Sequence, residues 1–193
     1  MHDMSTIKPD ARDKVLAAAL QLFTEKGYFS TSMRDITRES GVSTGSVYHY
    51  FKDKEGVASA LYQSMVERMC SEFDRIINHY ETSHDQCFAV VALLFELAEK
   101  EPRNMSFMLY TKHREFLPLE RPVCSSEPFN MMRRMVERGM SRGEIVEGDP
   151  MVISSCLFGG AIRLITSHLD GILQQPPGNY LDQVWACSWK AVS

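Results

Sequence analysis

Several signatures of catalysis and metal binding are missing from the 193 residues. There is no HExxH, no P-loop and no GxGxxG, so the common zinc-peptidase, nucleotide and dinucleotide sites have no footing here. The five cysteines, Cys70, Cys87, Cys124, Cys156 and Cys187, are scattered, odd in number and never spaced as CxxC. That spacing argues against a zinc ribbon or a thioredoxin-like pair, and the thiols read as small core residues of a reducing compartment. His84 and Cys87 lie three apart, but two ligands without a second pair make a poor zinc site. No catalytic group, metal or cofactor is expected. No stretch approaches the roughly 20 apolar residues that cross a bilayer. Residues 1–10 carry charge and Pro9 without an apolar run, unlike a signal peptide. The expected setting is the cytoplasm, without a membrane partner.

An excess of positive charge is also missing. The net charge is −4. Residues 1–56 hold eight basic and eight acidic side chains, and the remaining residues hold thirteen and seventeen. The acidity therefore lies outside the N-terminal segment, although the balance gives no positive sign of a polyanion partner. Strand-turn patterns, repeats and low-complexity stretches are likewise lacking. Hydrophobic residues at 44% and charged residues at 24% place the chain among ordinary globular proteins.

What is present is helical periodicity with well-placed stops. Val15, Leu16, Ala19, Leu22 and Phe23 form one apolar stripe behind Asp10 and Asp13, and Gly27 ends that helix. Ser32 with Asp35 three residues on has the form of a capping box, and Gly41 closes a second helix. Ser43 caps a third, short helix to about His49. Two short helices joined by a tight Gly-containing turn are the sequence form of a helix-turn-helix. A long helix over about 54–80 follows, then helical patterns over 85–100, from Pro102 to about His113, and over 127–142. A loop is expected over 114–126. Pro150–Leu173 is nearly continuous in apolar residues, and Asn179–Ala191 carries both tryptophans. The fold class expected is all-α: an N-terminal three-helix domain over 1–54, then a helical domain over 55–193.

The recognition segment has physical features of its own. Ser43, Thr44, Gly45 and Ser46 are small, so the start of the third helix could approach a surface closely. Their hydroxyls and the free N–H groups of the helix start can bond phosphates or base edges. Gly45 costs about 1 kcal/mol against alanine in a helix, which close approach to DNA would justify. Val47 and Phe51 are four apart and should face inward, leaving Tyr48 and His49 outward. Gly41 to Gly45 formally reads GxSxG, but a nucleophile elbow needs a preceding strand, and a helical pattern precedes it here.

The segment TSMRDITRESGVSTGSVYHYFKDKE, Thr31 to Glu55, resembles the tetracycline-repressor family signature, most densely in Gly41-Val42-Ser43, Gly45, Val47-Tyr48, Tyr50-Phe51 and Lys54-Glu55. The resemblance covers about residues 12–58. It implies a homodimeric regulator, a repressor in the usual case, on a double-stranded, (pseudo)palindromic DNA operator. By resemblance Thr44, Tyr48 and His49 contact bases or sugar-phosphate, Tyr50 and Lys54 contact phosphates, and Thr31 and Arg34 clamp the backbone. The family's second domain dimerises through its last two long helices, here about 150–173 and 179–191, with Gly159 and Gly160 permitting close approach.

The same domain holds an effector pocket in this family. Seven of the twelve methionines fall between Met105 and Met151, and methionine adapts to varied ligands. The expected lining is Met69, Phe73 and Phe95 with Met105, Met108 and Leu109, then Phe116, Met132 and Met135. Such a lining suits a small apolar or amphipathic effector, with ordinary core packing the competing reading. Arg163, inside an apolar run, would pair across the dimer or with a ligand's anion. Control by a protein partner or by thiol oxidation is the alternative to a small ligand.

Overall fold

The computed structural model describes residues 10–111, 113–117 and 125–193, and among these it contains nine α-helices and no strand. Each helix start in the N-terminal third is fixed locally. Asp10 accepts from the Asp13 N–H at 2.8 Å and opens α1, Ala11–Glu25, and the chain turns away through Gly27 at φ +85°. Ser32 and Asp35 form the reciprocal box that opens α2, Met33–Ser40: Asp35 N–H donates to the Ser32 hydroxyl at 3.2 Å, and Ser32 N–H to the Asp35 carboxylate at 3.0 Å. These bonds satisfy N–H groups that no helical carbonyl reaches. Gly41 then adopts φ +64°, a left-handed conformation that glycine takes without steric cost, and redirects the chain. The Ser43 hydroxyl caps α3, Thr44–Tyr50, at its Ser46 N–H.

Asp53 caps α4, Lys54–His79, a helix of 26 residues and about 39 Å by its rise per residue. Then follow α5, Ser83–Lys100, α6, Pro102–Tyr110, α7, Glu127–Ser141, α8, Pro150–Leu169, and α9, Leu181–Lys190. Four boundaries differ from the sequence reading by two residues or more, the first being α5, which opens at Ser83 behind its Thr82 cap, two residues early. α6 ends at Tyr110, three residues early, and the chain makes a separate 3-10 turn over His113–Glu115. α8 stops at Leu169 rather than Leu173, because Gly171 sits at φ +69° and the Tyr110 hydroxyl ties down the end through Thr166 O (2.9 Å) and Asp170 Oδ1 (2.7 Å). The last helix begins at Leu181, after a 3-10 turn over Pro177–Tyr180.

Two cores result. The N-terminal core gathers Val15, Leu22, Phe23, Ile36, Val47 and Phe51 from α1–α3 with Val57 and Leu61 from the first turns of α4. It also receives Phe107 from α6 and Phe116 and Leu117 from the segment beyond. The C-terminal core is built from Phe73, Val90, Val91, Phe95, the α7 methionines, Leu157, Phe158, Ile165 and Trp185. α4 runs through both. The expectation that no segment is apolar enough for a bilayer needs correction at α8, whose most apolar 18 residues have mean hydropathy 1.4 with only 22% of that window buried. Its inner face, Leu157, Phe158, Ala161 and Ile165, belongs to the core, while Met151 and Val152 are exposed.

Candidate nucleic-acid interface and internal pocket

The helix-turn-helix presents one surface. Ile36 and Val47 are fully buried and Phe51 is nearly so, which fixes the rotation of α2 and α3. That rotation turns Thr44, Gly45, Tyr48, His49 and Tyr50 outward, with Tyr48 51% and Tyr50 44% exposed. Large aromatics left that open on a small domain are available for a partner. The rings of His49 and Tyr50 meet edge to face at 5.5 Å between centroids. The Ser43 and Ser46 hydroxyls lie 2.9 Å apart and bond each other while Ser43 caps the helix. A Cβ at Gly45 would meet nothing within 4 Å, so the chain's own packing does not require glycine there. Arg34 is exposed on α2, while Arg38 pairs with Asp35 at 2.8 Å.

Two of the expected DNA contacts have a different place. Thr31 is 2% exposed and its hydroxyl donates to Gly27 O at 2.9 Å, so it secures the turn after α1 and does not face outward. The Lys54 ammonium donates to Tyr28 O at 2.9 Å and Thr31 O at 2.8 Å and lies 4.1 Å from the centre of the Tyr28 ring. It ties the start of α4 to the α1–α2 loop, so the ammonium expected at a phosphate is here committed to two carbonyls. A charged donor in two hydrogen bonds and over a ring is held firmly. The other eight expected residues, Arg34, Ser43, Thr44, Gly45, Ser46, Tyr48, His49 and Tyr50, lie on α2, α3 or the α3 cap, none of them buried.

In the second domain a cavity of about 90 Å³ opens between α4, α5, α6, α7 and α8. Of the expected lining, Met69, Phe73, Met105, Met108, Leu109 and Met132 are there. Three are elsewhere. Phe95 and Met135 are buried in the C-terminal core, turned away from the cavity. Phe116 lies in the N-terminal core, stacked on Tyr28 at 3.7 Å between centroids, because the chain after α6 returns to that domain. The sequence reading missed Met65, Leu94, Leu97, Phe129, Ile162 and Ile165, and with them Arg68, Glu72, Glu101 and Asn104 on a polar side. Arg163 is exposed and does not line the cavity, although its neighbours Ile162 and Ile165 do.

His113, His84 and the thiols among the described residues lie apart from the cavity lining. His113, 4% exposed, sits among the rings of Tyr62, Phe107 and Phe116. His84 accepts from the Trp185 indole N–H at 3.1 Å through Nε2, with Nδ1 2.8 Å from Asp85. Cys87 is fully buried, and burial pushes its thiol up to about 12, which disfavours the reactive thiolate; burial raises the Cys70 thiol as well. Cys156 and Cys187 are exposed, not the core residues expected of them, and Cys124 lies outside the described residues. Gly159 faces open space, whereas a Cβ at Gly160 would stand 3.3 Å from Val184 Cγ2, so Gly160 serves the packing of α8 on α9 within the chain.

A compact N-terminal domain with the helix-turn-helix arrangement, whose short third helix exposes its side chains, is thus joined to a helical domain with an internal apolar cavity. Residues 15–61, the N-terminal helix-turn-helix and the start of α4, match the sequence model of the bacterial regulatory proteins of the tetR family. The chain is 26% identical over 161 residues to the HTH-type transcriptional regulator HbdR of Aromatoleum sp. (strain CIB), covering 83% of this chain and 63% of the relative, so it spans less than two thirds of HbdR. It is 23% identical to the fatty acid metabolism regulator protein of Bacillus subtilis (strain 168), covering 80% and 81%. Its fold resembles the fatty acid degradation regulator FadR from Bacillus halodurans, with a TM-score of 0.80 at 20% identity over 94% of this chain and 96% of that one. It also resembles FadR from Bacillus subtilis, solved in complex with stearoyl-CoA, with a TM-score of 0.77 at 20% identity over 93% and 98%.

Proposed function

We propose that the chain is a dimeric repressor that holds a two-fold operator through α3 and releases it when a small apolar or amphipathic effector enters the cavity. The observation that carries this reading is the double engagement of α6. Met105, Met108 and Leu109 line the cavity, while Phe107 is fully buried in the N-terminal core, 6.3 Å from the Phe23 ring. Arg103 adds an ion pair to Glu25 of α1 at 3.1 Å. A ligand that moves the inner face of α6 must therefore move α1, against which α2 and α3 pack. Such coupling needs only that the ligand prefers one arrangement over the other.

The cavity is smaller than the roughly 300–1,000 Å³ of pockets that enclose a drug-sized ligand. Occupation therefore requires it to widen. Five of its lining residues, Met65, Met69, Met105, Met108 and Met132, are methionines, the side chain that repacks most readily. The fatty acid regulators among the structural neighbours, one of them holding stearoyl-CoA, support an effector with an acyl chain. The exposed Met151 and Val152 with the small Ser155, Cys156 and Gly159 give α8 an outer stripe that a second copy would cover, bringing two α3 helices to two half-sites.

The test is fluorescence anisotropy on DNA flanking the protein's own gene, and on a genome-fragment selection, with random DNA as competitor. Specific binding that stearoyl-CoA releases in the wild type, and fails to release in Met105→Trp, is the expected result. Specific binding indifferent to acyl ligands leaves the regulator and removes this effector class. Absence of specific binding from both DNA sources overturns the reading.

A further inference from the structure

Among the described residues the polar lining of the cavity is a cluster on α4 and at the start of α6, with Ser126 before α7. Arg68 of α4, Glu101 just before α6 and Asn104 of α6 stand there with Glu72, while Phe73, Met105 and Ile165 form buried wall. Among the described residues Arg68 is the one cation that lines the cavity. It is held in fork geometry: its two terminal nitrogens donate to the two oxygens of Glu101 at 2.7 and 2.6 Å. Asn104 also donates to Glu101. The pair is half open to water, with Arg68 53% and Glu101 29% exposed.

Glu101 has a second position in the fold. It is the single residue between α5 and α6, ending the first and preceding the second. A carboxylate beside a helix start is favoured by the positive end there and can accept from its free N–H groups. Glu101 makes no such bond. Arg68 draws the side chain away, so the junction that sets the direction of α6 is held by an ion pair at the edge of the cavity.

We propose, on the basis of the effector reading above, that the effector is an amphiphile with an anionic head, a carboxylate or a phosphate, and that this head displaces Glu101 from Arg68 while the apolar chain enters among the methionines. The guanidinium fork accepts a carboxylate or a phosphate in the same two-bond geometry. An ion pair this exposed contributes little to stability, so exchanging one anion for another is cheap. The displaced Glu101 carboxylate remains within reach of the α6 start and can cap it. Head binding is thereby converted into a change at the base of the helix that carries Phe107. Glu72 opposes any anion at Arg68, so a short anion without a chain has too little to gain, and the buried apolar tail supplies the rest.

The test is isothermal titration calorimetry of the full chain with decanoate, decanoyl-CoA and decan-1-ol. The proteins are wild type, Arg68→Gln, Glu101→Gln and Met105→Trp. Arg68→Gln is expected to weaken the anionic ligand by about tenfold or more, the scale of a lost charged hydrogen bond, and to leave decanol unchanged. Glu101→Gln removes the competing carboxylate and is expected to tighten the anion. A response confined to decanoyl-CoA assigns the head to a phosphate, and a response with decanoate assigns it to a carboxylate; both support the exchange. If Arg68→Gln moves decanol and the anions equally, or moves none, the exchange is overturned, and binding that Met105→Trp abolishes still keeps the cavity as an effector site. If no ligand binds the wild type, or Met105→Trp leaves binding intact, the effector reading falls and the exchange with it.

Discussion

Among the described residues the N-terminal core buries no methionine and closes on Val15, Ile36, Val47, Val57, Phe23 and Phe51, whereas the C-terminal core sets Met105, Met131, Met132 and Met135 among its own valines and phenylalanines and leaves a cavity. Branched and aromatic side chains have few rotamers and hold a surface in one shape; methionine repacks. The two regions accordingly put their candidate functional residues on opposite sides of their helices. α3 turns Tyr48, His49 and Tyr50 outward from a rigid base, and the α4–α8 bundle turns its residues inward around space. A rigid reader attached to an adaptable sensor needs a joint that belongs to both, and α6 is that joint.

The comparison breaks first at Phe107. Fully buried on a helix that otherwise lines the cavity, it counts toward the N-terminal core. Phe107→Ala should cost about 3–5 kcal/mol of stability, as for other buried phenylalanines. Urea unfolding followed by circular dichroism measures it. It should also uncouple any effector response from DNA binding at ligand affinities near wild type. A loss below about 1 kcal/mol, far under the usual range for such truncations, would mean that the two cores are independent.

Lys54→Met sharpens the division within the N-terminal region. With two carbonyls on its ammonium, Lys54 acts on the α1–α2 loop. The substitution should lower stability toward the lower end of the roughly 1.5–3 kcal/mol of charged hydrogen bonds. The dependence of DNA affinity on salt should stay as in the wild type. A salt slope reduced by about one unit would instead restore a phosphate contact. Tyr48→Ala should behave oppositely: stability within about 0.5 kcal/mol of wild type, as for most surface substitutions, and specific affinity lower by about 1–3 kcal/mol with random DNA less affected. Equal loss on both DNAs would move Tyr48 from base reading to backbone contact.

These regions also differ in how much the sequence disclosed. Caps at Asp10, Ser32 and Ser43 and turns at Gly27 and Gly41 act over three or four residues, so spacing alone exposes them. The outward set on α3 followed from Val47 and Phe51 facing in. The internal bonds of Thr31 and Lys54 were not legible because Lys54 finds its partners 23 and 26 residues back, beyond any local pattern. The cavity was harder still. α5 is apolar on several sides, so periodicity does not say whether Leu94 and Leu97 or Phe95 face the space, and only the packing of α8 brings Ile162 and Ile165 to it. Phe116 was misplaced because a short segment after α6 folds back on the other domain. The Arg68–Glu101 pair, 33 residues apart, had no sequence signal at all.

Gly45 offers the smallest effect and the cleanest contrast of sign. A glycine inside a helix costs about 1 kcal/mol against alanine, by backbone entropy. Here an added methyl group would touch nothing within 4 Å. Gly45→Ala should therefore stabilise the domain by up to about 1 kcal/mol, seen as a higher urea midpoint with an unchanged slope. The same methyl group stands on the start of α3, where a major groove about 12 Å wide must receive the helix. If α3 enters the groove closely, the stabilised variant should bind the operator more weakly than the wild type. Gain in stability with undiminished specific binding would mean that α3 stands off the bases at that end, and the reading would pass to Tyr48, His49 and Tyr50 one turn further along.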